Sequence, residues 1–198
     1  LVLSPGSAPI RPPLPGIDLP GIFSVRTVPD ARQMREWLDQ RLAARGATAT
    51  SPLRAVVVGG GFIGLEMAEN FVHRGIKVTL VERLDQVMPP LDVEMARAVE
   101  RKLTQHGVRL ELNDGVAGFR ALSDGGVEVQ TASGKAYPAD IVVLAIGVRC
   151  DREAQGGSVG GSAAPGPTIT NRGNELNQLG SSLLPRCSPR RSSKVSVA

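Results

Sequence analysis

Three glycines spaced as Gly59-x-Gly61-x-x-Gly64 follow directly on the apolar run Ala55-Val56-Val57-Val58, and Glu82 closes a second such run, Val78-Thr79-Leu80-Val81. Glycines at this spacing act through what they lack. Gly59 allows a tight turn out of a strand, and Gly61, without a Cβ, lets the backbone come close to a pyrophosphate. Gly64 lets a helix pack tightly against that strand. A helix opening at Phe62 then offers unpaired N–H groups and a partial positive charge to the phosphates. Glu82 lies eighteen residues beyond Gly64, where a carboxylate can accept hydrogen bonds from an adenosine ribose. The chemistry these residues point to is recognition of a dinucleotide.

A lone glycine pattern could also be a structural strand–helix turn. Here strand, glycines, helix, second strand and terminal acid fall in order within about thirty residues, the length of one βαβ unit. A nucleotide-binding reading is therefore the stronger one. In the helix after Gly61, the residues Phe62, Ile63, Leu65, Met67, Ala68, Phe71 and Val72 leave apolar groups on most faces. That pattern predicts a helix lying on a sheet and covered on its other side. Glu66 is the exception, an acid in the second turn that reads equally well as a solvated residue.

The flanking elements follow from periodicity and punctuation. Residues 1–27 are rich in proline and glycine, which predicts an extended crossover with short strands at most. Arg11-Pro12-Pro13-Leu14-Pro15 also has the form of a ligand for a polyproline-reading domain, but a connecting segment is the favoured reading. Thr27 is a candidate N-cap with Asp30 in the first turn, and Met34, Leu38 and Leu42 recur beside Trp37 on one helical face. Gly46 closes that helix, and Ala47–Pro52 leads to the first strand. Pro89-Pro90 ends a loop over Leu84–Leu91; Asp92 then caps a third helix to about His106, with Met95, Val99 and Leu103 inward. A short strand over Val108–Leu112 precedes alternating runs around Gly115–Leu122, Val127–Thr131 and Ala136–Pro138, an antiparallel meander. A buried strand from Asp140 ends at Gly147. The predicted fold class is α/β, a Rossmann-like parallel sheet with an inserted antiparallel β-meander and an irregular or disordered C-terminal tail.

Composition bounds the rest. With 198 residues, 41% hydrophobic and 3% aromatic, the core must be built from Val, Leu, Ile and Ala. No apolar run reaches the roughly 18 residues that span a bilayer, and Pro5 and Gly6 interrupt the opening Leu1-Val2-Leu3 too early for a signal peptide. The expectation is a soluble, cytoplasmic protein without a membrane partner. The net charge of +4 sits mostly in residues 150–198, which carry six basic and three acidic side chains, against 17 and 16 in residues 1–149. No basic stripe with interleaved aromatics occurs, so nucleic acid is not an expected partner. Cys150 and Cys187 have no metal or redox spacing, and His73 and His106 fall late in predicted helices, where they favour the helix end over metal binding. From Cys150 onward 19 of 49 residues are Gly, Ser or Pro and no period persists, which predicts disorder.

Leu3-Ser4-Pro5-Gly6, Pro13-Leu14-Pro15-Gly16, Gly59–Glu66, Val78–Glu82 and Ala145-Ile146-Gly147-Val148-Arg149 together resemble the flavin-dependent pyridine nucleotide–disulfide oxidoreductases. The similarity covers residues 1–149, and the branch of coenzyme A-disulfide reductases, NADH-dependent persulfide reductases and NADH oxidases is the nearest in pattern. The resemblance implies an FAD domain interrupted by an NAD(P)H domain, with hydride passing from nicotinamide to flavin to a cysteine. It implies that Gly59, Gly61 and Gly64 hold the nucleotide pyrophosphate and Glu82 the ribose. Ile63 and Glu66 would sit by the nicotinamide, Gly147 near the bound nucleotide, and Phe62 and Arg83 among the cofactor-binding residues. NADH is favoured over NADPH because a carboxylate at 82 repels a 2′-phosphate, although Arg83 beside it could pair with one.

On this reading residues 1–27 are a remnant of the FAD domain, 28–52 a connecting helix and linker, 53–149 the NAD(P)H-binding domain and 150–198 an aberrant tail. The family's FAD fingerprint and redox cysteine would precede residue 1, so the expectation is a chain that turns nothing over alone and does not retain FAD. Cys150 does not match the redox position. The loss of pattern after Arg149 resembles a change of reading frame or a truncation. The parent enzyme is expected to be a homodimer. Alternatives are a stand-alone NADH-binding or sensing module, the NAD(P)H domain of a ferredoxin-type reductase, and a non-functional fragment.

Overall fold

The computed structural model describes residues 6–45 and 51–150. The chain divides into two units, residues 1–158 and 159–198, the second of which lies wholly outside the described residues. Residues 151–198 of the tail expected to be disordered, Cys187 among them, and Gly46, the expected helix end, lie outside the described residues, whereas Cys150 ends a strand.

Five strands form one parallel sheet: β2 (Ile22–Phe23), β3 (Arg54–Val58), β4 (Lys77–Val81), β5 (Arg109–Glu111) and β9 (Ile141–Leu144), in the order β2-β9-β3-β4-β5. The helices α1 (Val28–Arg45), α2 (Phe62–His73) and α3 (Val93–Gln105) pack on one face. The strands β6 (Val116–Ala121), β7 (Val127–Thr131) and β8 (Ala136–Ala139) form the antiparallel meander and cover the other. Two short strands, β1 (Ser7–Pro9) and β10 (Val148–Cys150), pair antiparallel beside the sheet.

The continuous apolar runs of β3 and β9 are what a strand covered on both faces requires. Because side chains alternate across a strand, Ala55, Val57, Ile141 and Val143 enter the helix-side core, while Val56, Val58, Val142 and Leu144 meet Phe119, Val127, Val129 and Tyr137 of the meander. The N-terminal segment is part of this packing. Ile22 and Phe23 add the fifth parallel strand, Leu14 packs on the meander-side core, and Phe119 N–H donates to the Pro15 carbonyl at 2.8 Å. The proline run is thus a packed connection.

Four side chains depart from the helical expectations. Thr27 and Asp30 do cap α1 reciprocally: Thr27 N–H donates to Asp30 Oδ2 at 2.7 Å, and Asp30 N–H to Thr27 Oγ1 at 3.4 Å. Met34 and Leu38 are buried, but Leu42 is 61% exposed. Arg41 and Arg45, each four residues further along the row of Trp37, take the inward positions at the end of α1 instead. Met95 is also exposed; the inward row of α3 is Ala96, Val99, Glu100 and Leu103. Ala96 lets the helix approach closely, and Glu100 accepts a hydrogen bond from the preceding loop. On α2 the cover expected all round fails at the N-terminus, where Phe62 is 67% exposed and Ile63 42%. Both face the opening described below.

The arginines of α1 turn inward to Asp140, which has no solvent exposure. Its carboxylate accepts from Arg45 Nη2 at 2.7 Å, Arg41 Nη2 at 3.0 Å, Arg54 Nε at 3.1 Å and the Arg54 backbone N–H at 2.8 Å. Its carbonyl accepts from Trp37 Nε1 at 2.8 Å. Burial pushes the Asp140 carboxyl up, but the hydrogen bonds from Arg54 and Arg41 outweigh that and hold it down to about 2.

A carboxyl held at about 2 against an ordinary 3.8 contributes on the order of 2 kcal/mol to stability at neutral pH. The sign follows from the lowered value. The contribution is complete above the unfolded-state value and is lost as pH falls through about 4 toward 2. Thermal unfolding followed from pH 7 to pH 2 should show this acid limb. Asp140→Asn leaves three guanidinium groups against a neutral amide and should lower Tm by about 10 °C at pH 7. The same variant should flatten the acid limb; an acid profile identical to wild type would sink the assignment.

Candidate functional site

Strand β3 feeds α2 and then β4 on one side, while β9 lies on the other side of β3. The chain therefore changes direction between the C-terminal ends of β3 and β9. A crevice opens at such a switch point in a parallel sheet, and here it has a volume of about 650 Å³. Gly59, Gly61, Phe62, Ile63, Glu82, Arg83 and Gly147 all line it. Gly64 does not, because it is buried behind the turn. Glu66 does not either. It is exposed one turn further along α2, on a separate groove of about 360 Å³ between α2 and α3.

The glycines account for the shape of the turn. Gly59 has φ +105°, and a Cβ there would run into the Ala145 carbonyl at the end of β9. A Cβ on Gly64 would collide with the Gly59 carbonyl, so only glycine permits this crossing of α2 over the strand end. A Cβ on Gly61, by contrast, would meet nothing within 4 Å. Backbone at Gly61 is thus open to an approaching group, which is what a pyrophosphate requires. Gly61 is also the N-cap of α2 and supplies no side-chain cap, while Leu65 N–H makes the first helical bond to its carbonyl at 3.0 Å. Helix geometry leaves the amides before Leu65 without intrahelical partners.

At the β4 end of the crevice, Glu82 is 9% exposed. Its Oε2 accepts from Gly60 N–H at 2.6 Å and its Oε1 from Leu84 N–H at 2.9 Å. A carboxylate has about four acceptor sites, so two bonds leave capacity for ribose hydroxyls. Arg83 is exposed and lays its stem against Gly115, with Cγ 3.5 Å from where a Cβ would stand.

Asp114 is a site residue that the sequence pattern gave no reason to single out. It is 4% exposed, lines the crevice and accepts from Ser133 N–H at 3.1 Å and from the Ser133 hydroxyl. Burial pushes the Asp114 carboxyl up, yet the hydrogen bonds from Ser133 and Thr131 hold it below its ordinary value. It is therefore ionised at neutral pH. The only signal was its place in the turn leading into the meander. At the β9 end the wall is apolar, with Ile146 37% and Val148 53% exposed. Ile10 N–H holds the Gly147 carbonyl there at 3.0 Å.

Among the described residues no group of three His, Cys, Asp or Glu could hold a metal ion, and no helix is long and apolar enough to cross a membrane. His73 closes α2, and His106 caps α3 with its Nδ1 2.8 Å from the Lys102 carbonyl. Both stand at helix ends, late in the helices that the sequence predicts.

Residues 1–166 match the family model for pyridine nucleotide-disulphide oxidoreductases. An NADH oxidase of Methanocaldococcus jannaschii is 37% identical over 150 residues, which is 75% of this chain and 31% of that protein. Among solved structures, reduced CoADR-RHD of Bacillus anthracis shares 41% sequence identity at a TM-score of 0.66, over 75% of this chain and 25% of that one. An NAD-dependent persulfide reductase from A. fulgidus shares 35% at a TM-score of 0.64, over 73% and 25%. The chain thus spans about a third of the NADH oxidase it matches. It belongs to the pyridine nucleotide-disulphide oxidoreductase family, whose members use FAD and NAD(P)H.

Proposed function

We propose that this chain is the NAD(P)H-binding module of an FAD-dependent oxidoreductase that passes hydride from NADH through flavin to a disulfide or persulfide. The observation that carries the reading is the crevice at the switch point of the sheet, with open backbone at Gly61 on one wall and Glu82 on another. In this reading residues 53–149 are the nucleotide-binding domain, 28–52 the connecting helix and linker, and 1–27 a remnant of the FAD domain. By resemblance the parent enzyme is cytoplasmic and homodimeric.

The bound cofactors supply the hydride chemistry; this chain's residues bind and orient. The amides at the start of α2, with Gly59 and Gly64 shaping the turn, take the pyrophosphate. Glu82 uses its remaining lone pairs on the adenosine ribose. Phe62 and Ile63 are exposed at the mouth of the crevice, where apolar groups shield a nicotinamide from water. Glu66 would reach that end only from the next turn, and Gly147 lines the opposite wall. The relatives named as an NADH oxidase and an NAD-dependent persulfide reductase support a nicotinamide ligand and a sulfur substrate class.

The preference for NADH follows from charge. Two buried carboxylates, Glu82 and Asp114, line the crevice beside Arg83, and a 2′-phosphate brought there meets both. Competitive titration of the chain, read by nicotinamide fluorescence, should give tighter binding for NADH; tighter binding of NADPH would refute the preference. Arg83→Ala should leave NADH affinity within about twofold and weaken NADPH by about tenfold, the loss of one charge-assisted contact. An equal loss for both nucleotides would place Arg83 elsewhere than at the 2′-position.

A further inference from the structure

The glycine between the first two fingerprint positions is free in the motif, yet its surroundings give it a role. Gly60 N–H donates to Glu82 Oε2 at 2.6 Å, and the Gly60 carbonyl accepts from Met88 N–H at 2.8 Å. The other oxygen of Glu82 accepts from Leu84 N–H at 2.9 Å. Three residues on, Val87 N–H donates to Glu100 Oε1 at 3.3 Å, and Arg97 holds the second oxygen of Glu100 at 2.7 Å. Val87 is fully buried, and a Cβ on Gly60 would stand 3.1 Å from its Cγ1 and 3.4 Å from Glu82 Oε2. Two buried carboxylates therefore pin the loop between β4 and α3, and that loop grips both polar groups of the Gly60 peptide.

The consequence concerns the ligand-facing backbone. With its N–H turned to Glu82, Gly60 offers none to a phosphate, so the amides left for an anion are those from Gly61 onward. Their direction is set by the peptide that precedes them. We propose that Gly60, Glu82 and Val87 form a clamp that fixes this backbone before the nucleotide arrives, so that Glu82 is a positioning residue for NADH and NADPH alike, beyond its place as a ribose acceptor. Fixing the loop in its binding form removes an ordering cost that the nucleotide would otherwise meet. A side chain at the middle position must then displace Val87 by a few tenths of an ångström, a crowding the spacing of the motif does not state. The proposal rests on the nucleotide-binding reading above.

Gly60→Ala tests the clamp with the Glu82 carboxylate itself retained. Its methyl must push Val87 or the loop away, and affinity for NADH and for NADPH should fall by the same factor, about tenfold. Adding Val87→Ala makes room for that methyl, and the double variant should return to within about threefold of wild type. A second readout needs no ligand: in amide spectra of the labelled chain, the Gly60 proton, bonded to a carboxylate, should shift upfield in Glu82→Gln while resonances remote from the loop stay in place. Unchanged affinity in Gly60→Ala, no recovery in the double variant, or an unmoved Gly60 amide would each overturn the clamp. If the wild-type chain binds neither nucleotide, the proposed function fails instead, and the Gly60 resonance alone decides the clamp.

Discussion

The crevice exists because β3 and β9 lie side by side in one register, and Asp140 is what holds that register. It sits immediately before β9, and its N–H donates to the Arg54 carbonyl at 2.8 Å while its carboxylate takes the Arg54 N–H. From that point Ala55 pairs with Ile141 and Val58 with Leu144, and Gly59 reaches the Ala145 carbonyl. A slip of one residue would exchange the faces of β9, sending Val142 to the helices and Ile141 to the meander. The same slip would pull the end of β9 away from Gly59. A buried ion pair is costly to desolvate and is weak evidence for stability by itself. Here it acts at the end of the strands opposite the site and still sets the site's geometry.

Asp140 also joins layers that share no strand. Arg41 and Arg45 bring in the end of α1, and Arg54 reaches Asp124 at 3.1 Å in the turn between β6 and β7. Arg41 donates to the Asp124 carbonyl at 2.8 Å. Helix, sheet and meander thus meet at one cluster of charge. The exposure of Leu42 follows from it. Satisfying a buried carboxylate takes precedence over burying one more leucine, since an unpaired charge costs more than the roughly 2 kcal/mol that such a side chain contributes.

What was legible in the sequence is what depends on near neighbours. The glycine turn, the alternating runs of the meander and the capping pair Thr27 and Asp30 each span only a few residues, and each forms as its pattern predicts. Asp140 and its arginines were not legible. They stand 86 to 99 residues apart, and singly each resembles a solvated surface charge. Ile22 and Phe23 were hidden for another reason, because a strand of two residues carries no period. Asp114 was masked by chemistry, since an acid in a turn is ordinary until the fold buries it beside Ser133. The buried row of α3 was misjudged at Met95, because Ala96 and Glu100 face inward and neither is a large apolar residue.

The groups best placed to meet a phosphate in this crevice are main-chain amides, which every sequence possesses. Side chains act mainly by deciding where those amides point. Gly64 does so by being absent from the space where α2 crosses the Gly59 carbonyl, and Glu82 by holding the Gly60 N–H. Such a site tolerates wide change in its apolar lining, provided the turn keeps its glycines and the strand end keeps its acid. That tolerance gives a physical reason why relatives sharing only 37% to 41% identity can preserve one fold. The crevice also has two kinds of wall, one of backbone and one of the side chains Arg83, Asp114, Phe62 and Ile63. In the proposed reading the backbone wall meets what every dinucleotide shares, and selectivity rests on those few side chains, because amides cannot distinguish one pyrophosphate from another.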